Sequence, residues 1–187
     1  MSERIILAFA GHPNTGKSTL ATYLEQQHGF FTFEGSGYLK VLAESEGVLL
    51  RNREDYSRYY RRSQEELGKS WLADTMLRRP EDRLLGNGLR NRADYRQIKA
   101  QGGFIIALTC PPEICIQRAD ESDPKNPQTI EEYTHHVALD NGGTDDNYGL
   151  HTAWVVEHAD YGLDTSLPIG QTQTELDRII IEIVKKN

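Results

Sequence analysis

Residues 11 to 19 read GHPNTGKST and directly follow the apolar run IILAFA at residues 5 to 10. Gly11 and Gly16 are parted by four residues, with Lys17 and Ser18 next, which is the spacing of a phosphate-binding P-loop. That pattern has meaning only between a strand and a helix. The sequence supplies both. Residues 5 to 9 form a short apolar run of the kind buried on both faces of a parallel sheet, and STLATYLEQQHGF sets Leu20, Tyr23 and Leu24 at helical spacing until Gly29.

Successive backbone N–H groups in such a loop converge at a helix N-terminus, where an anion meets several donors and the positive end of the helix dipole. The candidate phosphate cradle is therefore Gly11, Asn14, Thr15, Gly16, Lys17, Ser18 and Thr19. Lys17 adds a point charge on the terminal phosphates, and the Ser18 hydroxyl is of the type that holds Mg²⁺, a hard ion shared with phosphate oxygens and water.

Further along, FFTF (30–33) is predicted as an aromatic strand stopping at Glu34-Gly35-Ser36-Gly37, followed by a helix over YLKVLAESEG. NREDYSRYYRRSQEELGKSWLADTMLRR predicts two amphipathic helices parted near Leu67-Gly68, with Leu72, Met76 and Leu77 facing the core. RLLGNG (83–88) is a weaker strand, RADYRQIKAQ a helix, and FIIALT (104–109) a clear strand. PPEICIQRA starts a helix with prolines in its first turn, and DESDPKNPQ is a polar loop. TIEEYTHHVAL and the region of TAWVVEHA are helical and joined by DNGGTDDN, YGLDT is a last strand, and QTELDRIIIEIVKK is the final helix. Strands alternating with helices imply a parallel sheet covered on both faces, whose ligands gather at the strands' carboxyl ends. Those ends are the P-loop, Glu34 to Ser36, Asn87 to Asn91, and Thr109.

Composition narrows the partners. A chain of 187 residues with a net charge of −7 does not suit broad binding to nucleic acid, although a run of arginines between Arg51 and Arg96 leaves a local basic groove open. The charged MSER start does not resemble a signal peptide, and no apolar run approaches the roughly 18 residues of a membrane span, so a soluble, cytoplasmic protein is expected. Nothing in the pattern sets an oligomeric state. Cys110 and Cys115 suggest reduced, partly buried thiols rather than a disulfide framework. His135 and His136 point in different directions on a helix and read as surface or packing residues, DNGGTDDN reads as a solvated turn, and Asp74 and Asp94 read as a solvated helix face. Tyr56, Tyr59 and Tyr60 read as core, with base stacking as the alternative.

The loop GHPNTGKST, the helical stretch after GFFTFEGSGYLK, the segment GLRNRADYRQIKAQGGFIIALTCPP and the late HADYGLDT together resemble the P-loop superfamily of nucleoside monophosphate kinases. Within it the order is most similar to the deoxynucleoside monophosphate kinase and dephospho-CoA kinase group. The resemblance implies an α/β P-loop kinase fold, a single domain over residues 1–187 with a five-stranded parallel sheet and helices on both faces. It also implies a helical acceptor-binding insert at about 36–80 and a lid at about 118–130. It implies ATP and Mg²⁺ as cofactors and transfer of the γ-phosphoryl group to a nucleotide-like small molecule, foremost a (deoxy)nucleoside monophosphate. Carried onto this chain, Lys17, Glu34, Arg90 and Arg118 are the candidate catalytic residues. Arg118, Leu167 and Pro168 join the P-loop around the nucleotide, and Glu34, Ser36, Arg51, Arg53, Arg61, Arg62 and Arg90 face the acceptor. Where relatives carry an aspartate after strand three this chain has Asn87, where dephospho-CoA kinases carry Asp-x-Asp it has Glu34 and Ser36, and its lid has Arg118 and then Lys125. Alternative readings place the acceptor within DNA, as a modified base or a polynucleotide end, or make the chain dephospho-CoA kinase-like. A non-catalytic nucleotide switch is the lesser alternative, since the guanine-reading Asn-Lys-x-Asp motif is absent.

Overall fold

The structure, a computed structural model, describes residues 4–120, 126–144 and 147–186. A five-stranded sheet of order β2-β3-β1-β4-β5 holds the chain together. The strands are β1 (Ile5–Ala10), β2 (Phe31–Glu34), β3 (Arg83–Asn87), β4 (Phe104–Thr109) and β5 (Tyr161–Asp164). Every pairing is parallel. β1 alternates between two cores. Ile5, Leu7 and Phe9 pack with α1 (Lys17–His28) and α9 (Ile169–Lys186), while Ile6, Ala8 and Ala10 pack on the other face. That second face carries α2 (Gly35–Ser45), α3 (Arg53–Leu67), α4 (Trp71–Leu77), α5 (Arg92–Ala100) and α8 (Thr152–Glu157). A strand apolar at every position is what a sheet covered on both sides requires.

The α/β reading of the sequence holds, with local shifts. β2 begins at Phe31 rather than Phe30, because Gly29 closes α1 at φ 66° and the Phe30 N–H still donates to the Leu24 carbonyl at the helix end, 3.3 Å away. β3 ends at Asn87, where Gly88 takes φ 92°. The helices α6 (Pro112–Gln117) and α7 (Ile130–Asp140) complete the order. Residues 121 to 125 of the expected lid, Lys125 included, lie outside the described residues, as do Asp145 and Asp146 of the acid-rich turn.

Two expectations of solvated acids are corrected. Asp140 is the last residue of α7 and is 1 % exposed, since two arginines pair with it. Asp94 is completely buried. Its Oδ2 accepts from the Tyr60 hydroxyl at 2.6 Å and its Oδ1 from the Ala73 N–H at 3.1 Å, so one carboxyl on α5 ties α3 and α4 to that helix. Tyr59 and Tyr60 are buried, as core residues should be. Cys115 is buried and Cys110 partly so, both unlinked. His135 is exposed and paired with Glu54, and His136 is buried.

Burial pushes the Asp94 carboxyl up to about 7, against the pull of its two hydrogen bonds. The folded state keeps a proton that the unfolded chain loses near pH ~4, so this contribution to stability is full below that pH. It is lost as pH rises through about 7. Urea unfolding of the wild type and Asp94→Asn should therefore diverge in favour of the wild type on acidification from pH ~7 to ~5, by up to about 1.4 kcal/mol per pH unit. A difference that does not change with pH would show that Asp94 is ionised throughout.

Candidate active site

β1 lies between β3 and β4, and its own connection runs toward the β2 edge of the sheet while those of β3 and β4 run toward the β5 edge, so the sheet opens a crevice at the carboxyl end of β1. The P-loop fills the base of that crevice. Gly11 is required there: a Cβ would stand 2.6 Å from the Leu108 carbonyl oxygen and 2.8 Å from Thr15 Oγ1. Asn14 at φ 56° and Gly16 at φ 83° take left-handed backbone as the loop turns into α1. Gly16 caps α1 without a side-chain acceptor, so the first-turn amides stay available to an anion.

A cleft of about 720 Å³ opens over this loop, bordered by Asn14, Gly16, Lys17, Ser18 and Thr19. Gly11 and Thr15 are buried beneath the lining and hold the loop's shape, with Thr15 Oγ1 donating to the His12 carbonyl at 3.1 Å. The Lys17 ammonium donates to the carbonyls of Gly11 at 2.9 Å and His12 at 2.6 Å. Burial, and after it the Arg90 charge, push Lys17 well below its ordinary range, with Asp140 opposing. His12 is also lowered, by burial first, while Asp140 acts against Arg90 and Lys17.

Beside the loop, the Asn87 side-chain amide donates to Glu34 Oε1 at 2.7 Å and contacts Ser18 Oγ at 3.4 Å. β2 and β3 are in register at these two residues, which is why their side chains meet. Asn87 Oδ1 is buried without a partner among the described residues. An orphaned oxygen next to a serine hydroxyl and a carboxylate fits Mg²⁺ or one of its waters. No cluster of three or more His, Cys, Asp or Glu able to hold a metal occurs among the described residues, so a divalent ion here would share phosphate oxygens and water.

At one end of the cleft, Arg118 donates to the Thr165 carbonyl at 2.6 Å and reaches Cys110 Sγ at 3.5 Å, with Leu167, Ile169 and Thr172 around it. Pro168 does not line the cleft. It starts α9, its carbonyl accepting from the Gln171 and Thr172 amides. The cleft is also lined by Glu34, Ser36, Arg53, Arg90, Tyr56, Tyr60 and Asp140. Arg53 donates from Nε to Asp140 Oδ1 at 3.2 Å and from Nη2 to Oδ2 at 2.5 Å, and Arg90 Nη1 donates to the same Oδ2 at 2.7 Å. Burial alone would raise the Asp140 carboxyl, but Arg90 and Arg53 outweigh it and hold it below the carboxylate range. Burial pulls Arg90 down.

Three sequence-predicted acceptor arginines stand elsewhere. Arg51 is exposed, Arg61 pairs with Glu65 at 3.6 Å, and Arg62 pairs with Glu66 at 2.8 Å and Glu46 at 3.4 Å. The helical period explains it: Arg53, Tyr56, Ser57 and Tyr60 share the cleft face of α3, and Arg62 is on the opposite side. Asp140 was missed, and only its place at the end of an amphipathic helix hinted at more than a turn.

Fold and site together define an α/β protein of the P-loop kinase fold. The chain belongs to the family described as an AAA domain, which matches residues 7–136. An adenylate kinase from Mycoplasmoides gallisepticum is 41% identical over 46 residues, 25% of this chain and 22% of that enzyme, so the match spans about a fifth of the relative. Shikimate kinase from Acinetobacter baumannii, solved in complex with shikimate, superposes with a TM-score of 0.61 at 14% identity, covering 100% of this chain and 96% of that one. A gluconokinase from Sinorhizobium meliloti 1021 gives 0.53 at 15% identity, with 100% and 98% covered. These likenesses establish the fold.

Because Glu34 meets Ser18 through Asn87, Glu34→Gln should raise the Mg²⁺ concentration needed to tighten binding of a non-hydrolysable ATP analogue by about tenfold, with metal-free binding little changed. Calorimetry at graded Mg²⁺ measures this, and an unaltered Mg²⁺ dependence would remove Glu34 from the metal's surroundings.

Proposed function

We propose that the protein is an ATP- and Mg²⁺-dependent phosphotransferase acting on a nucleotide-like small-molecule acceptor, with a (deoxy)nucleoside monophosphate as the acceptor that suits the cleft best. The observation that carries this reading is a cleft lined both by a phosphate cradle and by the Arg53–Arg90 guanidinium pair. Guanidinium forks match phosphate oxygens, and phosphoryl transfer depends mainly on position and charge neutralisation. The adenylate kinase segment points the same way.

In this reading Gly11 to Thr19 form one domain's nucleotide site, α2 to α4 the acceptor insert, and Arg118 the nucleotide-side arginine at the base of a lid. Lys17 and the α1 amides neutralise the γ-phosphoryl oxygens, while Arg53 and Arg90 bring the acceptor oxygen in line with the phosphorus. The acceptor oxygen bonds to that phosphorus as the bond to the β–γ bridging oxygen breaks, leaving ADP. Ser18, with Glu34 nearby, would hold Mg²⁺, which would supply charge neutralisation on the phosphates. A phosphate acceptor needs no base. An alcohol acceptor would give its proton to Glu34, and the position of Glu34 on the cleft favours this second reading, in which the acceptor is a hydroxylated anion. No described helix is long and apolar enough to cross a membrane.

The test is radiolabelled ATP with Mg²⁺ against nucleoside and deoxynucleoside monophosphates, dephospho-CoA, shikimate, gluconate and single-stranded DNA. A monophosphate should be the best acceptor, and Lys17→Ala should lower its turnover by about 100-fold or more with the fold retained. Transfer to none of them, or full activity in Lys17→Ala, would sink the proposal.

A further inference from the structure

Asp140 is an acid in an unusual place. It sits at the acceptor end of a cleft otherwise built to attract anions, and its Oδ2 is shared by both arginines that would bind the acceptor. All three side chains line the cleft, the Asp140 side chain 1% exposed against 14% for Arg53 and 18% for Arg90. Arg53 Nη1 and Arg90 Nη2 have no protein partner among the described residues. The acid is also fixed. The next residue, Asn141, donates to the Val137 carbonyl at 2.8 Å and accepts from the Ala153 N–H at 2.7 Å. A second tie joins α7 to the start of α3, His135 to Glu54 at 2.8 Å. These ties hold the helix end that carries Asp140 against α8 and α3.

We propose that Asp140 is a specificity-determining counter-ion: it satisfies the Arg53–Arg90 pair when the site is empty and so keeps small inorganic anions from filling it. This rests on the reading of that pair as the acceptor's anion contact. A bare phosphate gains only charge attraction, which Asp140 offsets in part. An acceptor with an organic body also gains contact with the lining supplied by Leu39, Tyr56, Leu72 and Leu150, and so takes the pair despite the acid.

The test keeps the P-loop filled with a non-hydrolysable ATP analogue and Mg²⁺ and titrates inorganic phosphate by calorimetry. Asp140→Asn should bind phosphate about tenfold or more tighter than the wild type, because a repelling charge is removed beside the pair. Asp140→Glu, which keeps the charge, should behave as the wild type, and adding Arg53→Ala to Asp140→Asn should erase the gain. Phosphate binding in Asp140→Asn that is absent, unchanged or weaker would overturn the proposal. Removing one partner of a buried ion pair destabilises, so melting temperatures are taken across the same phosphate series. Phosphate should raise the midpoint of Asp140→Asn and leave the wild type unmoved; a variant that phosphate does not stabilise contradicts the proposal. Neither readout involves turnover, so a negative acceptor screen and a negative result here remain separate findings.

Discussion

The position of β1 between β3 and β4 is the constraint on which everything else rests. A strand buried on both faces must be apolar along its length, and the crossover that leaves β1 for β2 runs opposite to those that leave β3 and β4. The crevice this leaves is where GHPNTGKST turns into α1, and Gly11 lets the loop lie against the Leu108 carbonyl of β4 with no room for a Cβ. Glu34 and Asn87 arrive at the same rim because β2 and β3 end in register. Sheet geometry thus gathers Ser18, Glu34 and Asn87 from three distant stretches of chain.

Electrostatics explains why the cleft differs from the rest of the molecule. The whole chain has a net charge of −7, yet Lys17, Arg53, Arg90 and Arg118 outnumber Glu34 and Asp140 among the charged residues of the cleft. Burial first, and the neighbouring Arg90 and Arg53 charges after it, depress Lys17, and an anion in the cleft would relieve that cost. Asp140 supplies part of that relief from within. An acidic exterior around a cationic crevice suits small anionic substrates better than a polyanion.

What the sequence reveals depends on how local the determining physics is. The P-loop and the strand at 104–109 were legible because glycine spacing and an unbroken apolar run are local signals. Glu34 was legible because a strand end fixes where a residue stands. Asp140 was hidden: its partners lie 87 and 50 residues away, and an acid beside DNGGTDDN reads as solvent-facing until the fold brings Arg53 and Arg90 to it. Asp94 was misread for the same reason, since only the packing of α3 and α4 over α5 buries it. Arginine density along residues 51–62 was a poorer guide than helical phase, which sends Arg53 inward and leaves Arg62 with Glu66.

The central claim is that triphosphate and acceptor anion occupy neighbouring subsites of one cleft. The most direct measurement is the affinity of a dinucleoside pentaphosphate, a single molecule able to span both subsites, compared with ATP in the same buffer by calorimetry. Binding tighter than ATP by about tenfold or more is expected, with the advantage lost in Arg53→Ala/Arg90→Ala while ATP affinity stays the same. Affinity no greater than that of ATP, or an advantage that survives removal of both arginines, would contradict it.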